Sequence, residues 1–266
     1  MKKAELKLCG LPAVLARWQR APDSIHRLFF DRETGRRVGA ISKALAATRR
    51  VYRCVEDAEL EKVAGTLHHG GIVAVVDGPE LREPSEGDIA SWARRPEPVL
   101  VLDRVGNAHN LGALVRTAAF LQVPHLLLCD HPDAARPNEA AYRVAEGGFE
   151  ALAVWQTPDL PGVLAAMKSA GFDVVGAATR GGARLSPGGE CGGRPAPRAR
   201  ALVLGNEERG LSREVESVCS RRVTLAGSES VESLNVSVAG ALLMWELLAP
   251  RPRADAPNPR SRAARS

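Results

Sequence analysis

The sequence has few cysteines and no long hydrophobic run, and both shortages exclude whole classes of protein. Its 266 residues include five cysteines with long gaps and no C-x-x-C pair, so neither a disulfide framework nor a zinc site is indicated. The longest near-apolar stretches, Ile72–Val76 and Ala239–Leu248, fall short of the roughly 20 residues that a membrane-spanning helix needs. The initial lysines are followed by no apolar segment of the kind found in secretory signals. We therefore expect a cytoplasmic protein with reduced thiols and no membrane contact.

The sequence also lacks the glycine pattern of dinucleotide-binding enzymes. Those enzymes carry G-x-G-x-x-G after the first strand, with an acidic residue about 20 positions further on. Here the apolar run Val99–Leu102 is followed by a segment ending in NAHNLG. A small-molecule enzyme of the Rossmann type is therefore disfavoured.

The charge is distributed unevenly along the chain, although the net value is only +5. Residues 1–70 hold 14 basic and 8 acidic side chains, residues 71–250 hold 17 and 22, and residues 251–266 hold 5 and 1. An acidic middle thus lies between a basic front and a basic tail. Separate basic regions suit a polyanion such as nucleic acid, and solvated surface charge would give the same pattern.

The hydrophobic pattern divides the chain into four parts. Residues 1–76 alternate short helical and strand-like runs, which predicts a small α/β domain. Residues 77–97 are dominated by proline, glycine and charge and are interpreted as a linker. Residues 98–250 alternate near-continuous apolar strands with helices, which predicts an α/β domain with a parallel sheet covered on both faces. Residues 251–266 mix proline, arginine and polar residues and are predicted to be disordered.

Three segments of the larger domain place polar residues beyond an apolar strand, where sites gather in parallel sheets. In the first segment, Asn110 is predicted to cap a helix, and Arg116, six residues later, can project from roughly the same face. An arginine among leucine, alanine and valine is unusual and favours a functional role. An arginine on the solvent-facing side of the helix would give the same sequence pattern. In the second segment, Leu204 ends a strand and Gly205 permits a tight turn or a close approach to a ligand.

The second segment continues with Glu207 and Gly210, and the third is a serine- and glutamate-rich run that leads into the last helix. Ser233 is predicted to cap that helix. That helix contains small residues, Ala239 to Ala241, which allow close packing against another element. Taken singly, the second and third segments are no more than ordinary strand ends and helix caps.

In this order and spacing, the three segments resemble the signature motifs of the SpoU/TrmH family of RNA ribose 2′-O-methyltransferases, within the SPOUT class. The family's N-x-x-x-x-x-R corresponds to Asn110 and Arg116, and its L-G-x-E-x-x-G to 204–210. Its S-L-N-V-S corresponds to 233–237. The resemblance covers roughly residues 97–249. The first unit resembles the family's L30e-like substrate-binding domain, through the KLCGLPAV start and the HHGGIVAV end.

The resemblance implies a parallel-sheet SPOUT domain whose C-terminal segment forms a trefoil knot. It also implies S-adenosyl-L-methionine as cofactor, tRNA or rRNA as substrate, a homodimer, and a reaction that needs no metal. The residues that it assigns to catalysis are Arg116, Asn110, Glu207, Ser233 and Asn235. Those that it assigns to cofactor binding are Thr179, Leu204, Gly205, Leu225, Leu234 and Asn235.

The role of Arg116 stays open at this stage, because a guanidinium has a pKa above about 12 and is a poor base. It either loses its proton in a special environment or stays charged and grips an RNA phosphate in a fork. A non-catalytic RNA-binding protein of the same fold is the alternative function. One departure from the family is the segment VAEGGFE, with Glu146, Gly147 and Gly148, where many members have a Ser-Ala-Gly-Ala-like turn. It puts the identity of the target nucleotide in doubt.

Overall fold

The computed structural model describes residues 5–185, 199–228 and 230–249, which form two separate β-sheets. The first part of the chain contains β1 (Glu5–Cys9), α1 (Leu11–Arg20), β2 (Ile25–Phe30), α2 (Arg32–Gly35), α3 (Gly39–Ala47), β3 (Val51–Cys54), α4 (Asp57–Ala64) and β4 (Ile72–Asp77). The remainder contains α5 (Glu86–Arg94), β5 (Val99–Asp103), α6 (Ala108–Phe120), β6 (His125–Cys129), α7 (Glu139–Ala145), β7 (Ala153–Thr157), α8 (Leu160–Ser169), β8 (Asp173–Ala177), β9 (Ala183–Leu185), β10 (Arg200–Gly205), α9 (Arg213–Val218), β11 (Arg221–Leu225) and α10 (Val236–Leu247).

The smaller sheet is mixed, with strand order β1-β4-β2-β3. Strand β4 runs antiparallel to both of its neighbours, and β3 lies parallel to β2 at one edge. Strand β1 was not predicted from the sequence, because its period-two pattern is short: Leu6 and Leu8 are buried, whereas Lys7 between them is partly exposed. The pairing of β1 with β4, a partner some 65 residues away, completes the strand. The local sequence alone does not indicate this long-range pairing.

The larger sheet has seven strands in the order β7-β6-β5-β10-β8-β11-β9, and every pair in it is parallel. Side chains alternate between two apolar layers. In β5, Leu100 and Leu102 belong to one core cluster, and Val99 and Val101 belong to the other. The predicted parallel sheet with both faces covered is thereby confirmed. The knot implied by the family resemblance stays a prediction.

The segment 77–97, interpreted as a linker, contains helix α5. Ser85 accepts a hydrogen bond from the backbone N–H of Asp88, and the Asp88 carboxylate accepts one from the backbone N–H of Ser85, which is a capping box. Ile89 and Trp92 of α5 are buried in the second core cluster. The pattern was misread because only two apolar residues of this helix face the core. The predicted disordered tail, residues 251–266, lies outside the described residues.

No helix in the described ranges is long and apolar enough to cross a membrane.

The two sheets share one apolar core. It contains Leu11 and Val14 of α1 together with Tyr142 of α7 and Phe149 of the following 3₁₀ turn, Gly148–Glu150. The first unit is therefore packed directly against the α6–α7 side of the larger one.

An aromatic cluster closes the N-terminal edge of the larger sheet. His125, at the start of β6, stacks on Trp92 with ring centroids 4.4 Å apart, and Trp155 meets Trp92 edge-on at 5.0 Å. His125 Nε2 lies 3.1 Å from a carboxylate oxygen of Glu97. Burial lowers the pKa of His125 below its ordinary value, against the opposing effect of Glu97.

This cluster predicts a loss of stability on mild acidification. Because the folded-state pKa of His125 lies below its unfolded value of about 6.5, the unfolded chain takes up a proton there that the folded chain refuses. The contribution is present above that pH and is lost as the pH falls from there through the folded pKa. His125→Phe keeps the stack but cannot take up a proton. Its Tm should fall less between pH 7 and pH 5 than that of the wild type.

The exposed His68 supplies the control, because His68→Phe should leave the wild-type dependence of Tm on pH unchanged. Equal slopes for the wild type and His125→Phe would contradict the assignment. Thermal unfolding followed by circular dichroism at five pH values is sufficient to measure the difference.

Candidate active site

The three motif segments meet at one edge of the larger sheet. Because all its strands are parallel, their carboxyl ends lie on the same side, and β5, β10, β8 and β11 are consecutive neighbours there. The first motif follows β5 and the second follows β10. The third precedes α10, which packs on α6 and β10. Segments separated by up to 125 positions thus contribute side chains to one place.

A continuous chain of hydrogen bonds connects the three motifs. The amide nitrogen of Asn235 donates to the amide oxygen of Asn110 over 3.2 Å, and the amide nitrogen of Asn110 donates to Glu207 Oε1 over 2.8 Å. Ser237 donates to the amide oxygen of Asn235 through its backbone N–H (2.9 Å) and its hydroxyl (2.6 Å). Each asparagine therefore uses both ends of its amide, which fixes the orientation of both side chains.

Glu207 is the acceptor at the end of this chain. Besides Asn110, it accepts hydrogen bonds from the backbone N–H groups of Gly106 (3.0 Å) and Asn107 (3.3 Å). Burial acts to raise the pKa of Glu207, and these hydrogen bonds outweigh it, so that its pKa lies below the ordinary value. The carboxylate is therefore held as an anion, and it ties the loop after β10 to the loop after β5.

Two of the predicted helix caps are wrong. Helix α6 is capped by Asn107, whose side-chain oxygen accepts from the N–H groups of His109 and Asn110, and not by Asn110. Helix α10 is capped by Asn235, and not by Ser233, which is exposed two residues earlier. Asn107 takes over the capping bonds of α6, which leaves the amide of Asn110 available to bridge Glu207 and Asn235.

Two further residues of this edge were missed by the sequence analysis. Asp103 ends β5 with only 2% of its surface exposed, and it accepts from the N–H (2.6 Å) and hydroxyl (2.9 Å) of Ser212. Asn206 donates to the carbonyl of Arg104 over 2.8 Å. Both residues fix the loop after β10 against the loop after β5. A carboxylate directly after the apolar run VLVL was the available signal, since sites lie at strand carboxyl ends.

The loop after Gly205 folds back tightly on itself. Asn206 and Gly210 exchange backbone hydrogen bonds of 3.0 and 2.9 Å. A Cβ atom at Gly205 would collide with the backbone of Gly210 and Leu211, so a side chain there would force the loop open. Gly205 therefore permits the tight turn, because the folded-back loop leaves no space for a side chain there.

The predicted cofactor-binding residues are distributed along this edge. Gly205 ends β10, Thr179 lies just beyond β8, and Leu225 ends β11, on three neighbouring strands. Leu204, in contrast, is buried and packs in the apolar core. Leu234 is 49% exposed and directly precedes Asn235. An ion pair of 3.3 Å between Arg180 and Glu232 brings the loops that carry Thr179 and Leu234 together.

Arg116 stands apart from the hydrogen-bonded chain. It is exposed, and its Nη1 lies 2.9 Å from Oε1 of Glu146. Six residues correspond to about 9 Å along a helix and nearly two turns, so Arg116 lies further along α6 than Asn110. The two side chains have different partners: Asn110 bonds to Glu207 and Asn235, and Arg116 pairs with Glu146. That Asn110 and Arg116 act on the same ribose stays a prediction.

The polar edge opens on a cleft of about 430 Å³. Its walls come from the loops after β5, β6 and β10: Gly106, Asn107, Asn110, Asp133, Asn206, Glu207, Glu208 and Arg209. Across its mouth, Arg209 lies 3.4 Å from Asp133. Among the described residues there is no group of three or more histidine, cysteine, aspartate or glutamate side chains that could hold a metal ion.

Comparisons with known proteins give consistent results. The sequence profile of the SpoU rRNA Methylase family matches residues 97–245, and that of the RNA 2'-O ribose methyltransferase substrate binding domain matches residues 7–82. An uncharacterized tRNA/rRNA methyltransferase, YfiF, from Escherichia coli O157:H7 is 31% identical over 91% of this chain and 67% of its own length. The 23S rRNA (guanosine-2'-O-)-methyltransferase RlmB from Nitrosomonas europaea is 30% identical over 89% of this chain and 88% of its own.

Solved structures agree on the fold. An rRNA methyltransferase from Sinorhizobium meliloti superimposes with a TM-score of 0.73 at 19% identity, covering 91% of this chain and 86% of that one. A TrmH-family protein from Porphyromonas gingivalis, described as a putative RNA methyltransferase, gives 0.69 at 23% identity, covering 91% and 89%. With its two profile matches and its full set of motif residues, the chain belongs to the SpoU rRNA methylase family.

Proposed function

We propose that this protein transfers a methyl group from S-adenosyl-L-methionine to a ribose 2′-hydroxyl of structured RNA, with ribosomal RNA as the first substrate to test. The observation that carries the proposal is the chain of hydrogen bonds from Asn235 through Asn110 to Glu207, which joins the three family motifs. The RlmB relative, a 23S rRNA methyltransferase by name, aligns over nearly its whole length, which supports rRNA as the substrate. A cytoplasmic compartment stays part of the proposal.

The strand-end edge fits the cofactor. Gly205 leaves backbone without a side chain facing the loop. Leu225 is partly buried at the end of β11, and Leu234, in the segment that leads to α10, is 49% exposed. Backbone polar groups next to apolar side chains suit an adenine ring. When bound, the cofactor supplies an electrophilic methyl group on a sulfonium. Thr179, Gly205, Leu225, Leu234 and Asn235 are the residues that we propose hold it.

The remaining motif residues orient the nucleophile. Asn110 is fixed by Glu207 on one side and Asn235 on the other, so it can present a preset amide to the ribose without reorganising. Ser233, exposed immediately before Leu234, is proposed to face the same ribose. Arg116 forms an ion pair with the Glu146 carboxylate, so its guanidinium already binds an anion through its fixed donors. We therefore favour Arg116 as a cation that grips a phosphate and aligns the ribose, over Arg116 as a base.

The first unit carries the surface proposed to bind RNA. Strand β3 lies at the edge of the smaller sheet and all four of its residues are exposed, including Tyr52 and Arg53. Arg49 precedes it with a positive φ of 56° and is exposed as well. Arginine and an aromatic ring on an open edge suit phosphates and unstacked bases. More basic side chains are exposed on the neighbouring elements: Arg32, Arg36, Arg37 and Lys43.

We also propose a homodimer formed through α10. The helix exposes Val238, Leu242 and Trp245 by 50%, 47% and 64%, a spacing of four and three residues that places them on one face. The small residue Gly240 faces the other way, against Leu114 and Leu204 of its own chain, so Gly240 serves internal packing. Because Arg116 is separated from the Asn110–Glu207 chain within one copy, a second copy docked on α10 offers a way to bring them together.

Trp245→Glu is therefore expected to shift the protein from dimer to monomer, since a charge would be buried in the apolar contact. Sedimentation velocity at micromolar concentration measures the change. Leu67→Glu, at an exposed leucine of the first unit, should remain dimeric. A wild-type protein that sediments as a monomer would contradict the dimer.

The function is tested by mapping 2′-O-methylated ribose across total rRNA and tRNA. A strain lacking the gene is compared with strains carrying the wild type, Arg116→Ala, or Arg94→Ala, an exposed arginine of α5. The expected result is loss of one site, restored by the wild type and by Arg94→Ala but not by Arg116→Ala. Absence of change at every site, together with retained RNA binding, would favour the non-catalytic RNA-binding protein.

A further inference from the structure

The turn between α7 and β7 has an unusual backbone. Glu146 ends α7 with φ 45° and ψ 44°, in the left-handed region that side chains other than glycine and asparagine rarely adopt. Gly147 follows with φ 92°. A glutamate held in this conformation needs surrounding contacts to keep it there, and strained residues concentrate where their position is used.

The contacts that hold the turn come from both units of the protein. A Cβ atom at Gly147 would lie 2.8 Å from the side chain of Ala16 and 3.2 Å from the carbonyl of Pro12, both on α1. A Cβ atom at Gly148 would lie 3.2 Å from the Cα of Arg116 on α6. The two glycines therefore let the turn fit between the first helix of the substrate-binding unit and the helix that carries Arg116.

A buried ion pair fastens the turn to the first unit. Arg17 of α1 donates from Nε to Glu150 Oε1 over 2.8 Å, and its Nη2 lies at the same distance from that oxygen. The two side chains are only 9% and 11% exposed. The neighbouring Phe149 stacks on Tyr142 with ring centroids 4.2 Å apart. Loss of one partner would leave a buried charge unpaired, so the two units are strongly held in register at this turn.

At its other end the same turn presents the carboxylate of Glu146 to Arg116, with 2.9 Å between Nη1 and Oε1. A half-exposed ion pair ordinarily contributes little, because both side chains must give up their freedom. Here the packing of the turn already fixes the backbone of Glu146, so forming the pair costs less conformational entropy. The pair is therefore better suited to orienting Arg116 than to stabilising the fold.

We propose that Glu146 is a positioning residue for Arg116, and that the docking of the first unit through Arg17 and Glu150 sets the position of Glu146. The proposal rests on the proposed function of Arg116 in methyl transfer. It makes the RNA-binding unit part of the apparatus that aligns the guanidinium for the ribose, in addition to its contact with RNA.

The kinetic test compares Glu146→Gln and Glu146→Asp with the wild type in methyl transfer to the RNA identified by mapping. Glu146→Gln should lower kcat about tenfold, because the guanidinium is no longer aligned with the ribose. The KM for RNA and the Kd for the cofactor should stay within about twofold of the wild type, and Tm within about 2 °C. Glu146→Asp keeps the charge and should recover part of kcat. Glu139→Gln removes the same charge from the exposed start of α7 and should leave kcat unchanged. A lower KM for RNA with unchanged kcat would overturn the proposal, because Glu146 would then only compete with phosphate.

A second readout needs no turnover and separates this proposal from the proposed function. The ¹⁵Nε–H signal of Arg116, assigned by its disappearance in Arg116→Lys, should report an ordered side chain in the wild type. It should become averaged in Glu146→Gln and stay unchanged in Glu139→Gln. An ordered signal in Glu146→Gln would overturn the positioning role. If the wild type methylates no RNA and this pattern is nevertheless found, the proposed function fails while the positioning contact stands.

The link to the first unit is tested by the paired change Arg17→Met with Glu150→Gln, which removes both charges together. In the wild-type background, this double variant should lower kcat and give an averaged Arg116 signal. In the Glu146→Gln background, it should cause no further change in either measurement. Ala16→Gly, which removes only the methyl group against Gly147, is the milder second variant and should act in the same direction. Effects on kcat that multiply independently with that of Glu146→Gln would overturn the link.

Discussion

Arg116→Ala is expected to lower kcat for RNA methylation by at least about 10³-fold, because both alignment of the ribose and stabilisation of charge in the transition state are lost. The fold should be unaffected. Arg116 is exposed and pairs with a half-exposed carboxylate, so its removal opens no cavity and leaves no buried charge. Tm and the Kd of S-adenosyl-L-methionine should therefore remain at their wild-type values, measured by calorimetry on the same preparations.

Arg116→Lys distinguishes the two roles of the guanidinium. A lysine keeps one positive charge but lacks the planar fork that grips a phosphate through two donors, so an orienting role predicts recovery of no more than about a tenth of wild-type kcat. Its rate should be flat with pH above neutrality. A base role predicts instead that the rate of Arg116→Lys rises towards the lysine pKa near 10. Wild-type kcat in Arg116→Ala would exclude both roles.

Local sequence was sufficient to predict many helices and strands and to locate the motifs. It was insufficient to predict the hydrogen bonds that join the motifs. The near-continuous apolar runs of the larger domain, such as Val99–Leu102, were enough to predict the parallel sheet that the structure shows, because strands buried on both faces carry apolar side chains on both. The joining bonds, such as that between Asn110 and Glu207, depend on strand order, which places β10 beside β5 although some 95 residues separate them. The motif resemblance indicated that these residues belong together, and the sheet shows how.

The misassigned caps have a related cause. Asn107 and Asn110 are both asparagines near the start of one helix, and either could cap it on local grounds. The choice is made by Glu207, which binds the amide of Asn110 and the backbone of Asn107 at once. The ion pair between Arg116 and Glu146 was equally invisible, although both residues had been singled out, because nothing in sequence places the end of α7 beside α6.

Glu207→Ala is expected to give the second large effect, a loss of about 10²-fold in kcat/KM. The variant releases the amide of Asn110 and removes the acceptor from the N–H groups of Gly106 and Asn107. Because the carboxylate is partly exposed, water replaces it at the backbone, and the free energy of unfolding should fall by only about 1 kcal/mol. Glu207→Gln keeps the shape and can still accept from Asn110, but its amide nitrogen then faces the backbone N–H of Gly106 where Oε2 accepted a hydrogen bond. It should therefore restore only part of the activity.

The acid side of the pH profile checks the same contacts. The folded-state pKa of Glu207 lies below its ordinary value, so its contribution to stability is present above the unfolded pKa, about 4.3, and is lost as the pH falls through the folded one. Glu207→Gln should lack this loss of Tm in acid. The exposed Glu61 of α4 provides the control, and Glu61→Gln should follow the wild type.

The decisive comparison for Glu207 is a double-mutant cycle with Asn110. If the two side chains act as one hydrogen-bonded unit, Asn110→Ala together with Glu207→Ala should lose about as much kcat/KM as either single variant, since the second change breaks a contact already lost. Losses that multiply would mean that Asn110 and Glu207 act on the RNA separately. Asn235, bonded to the other end of the Asn110 amide, should show the same non-additivity, which would make all three motifs parts of a single preorganised arrangement.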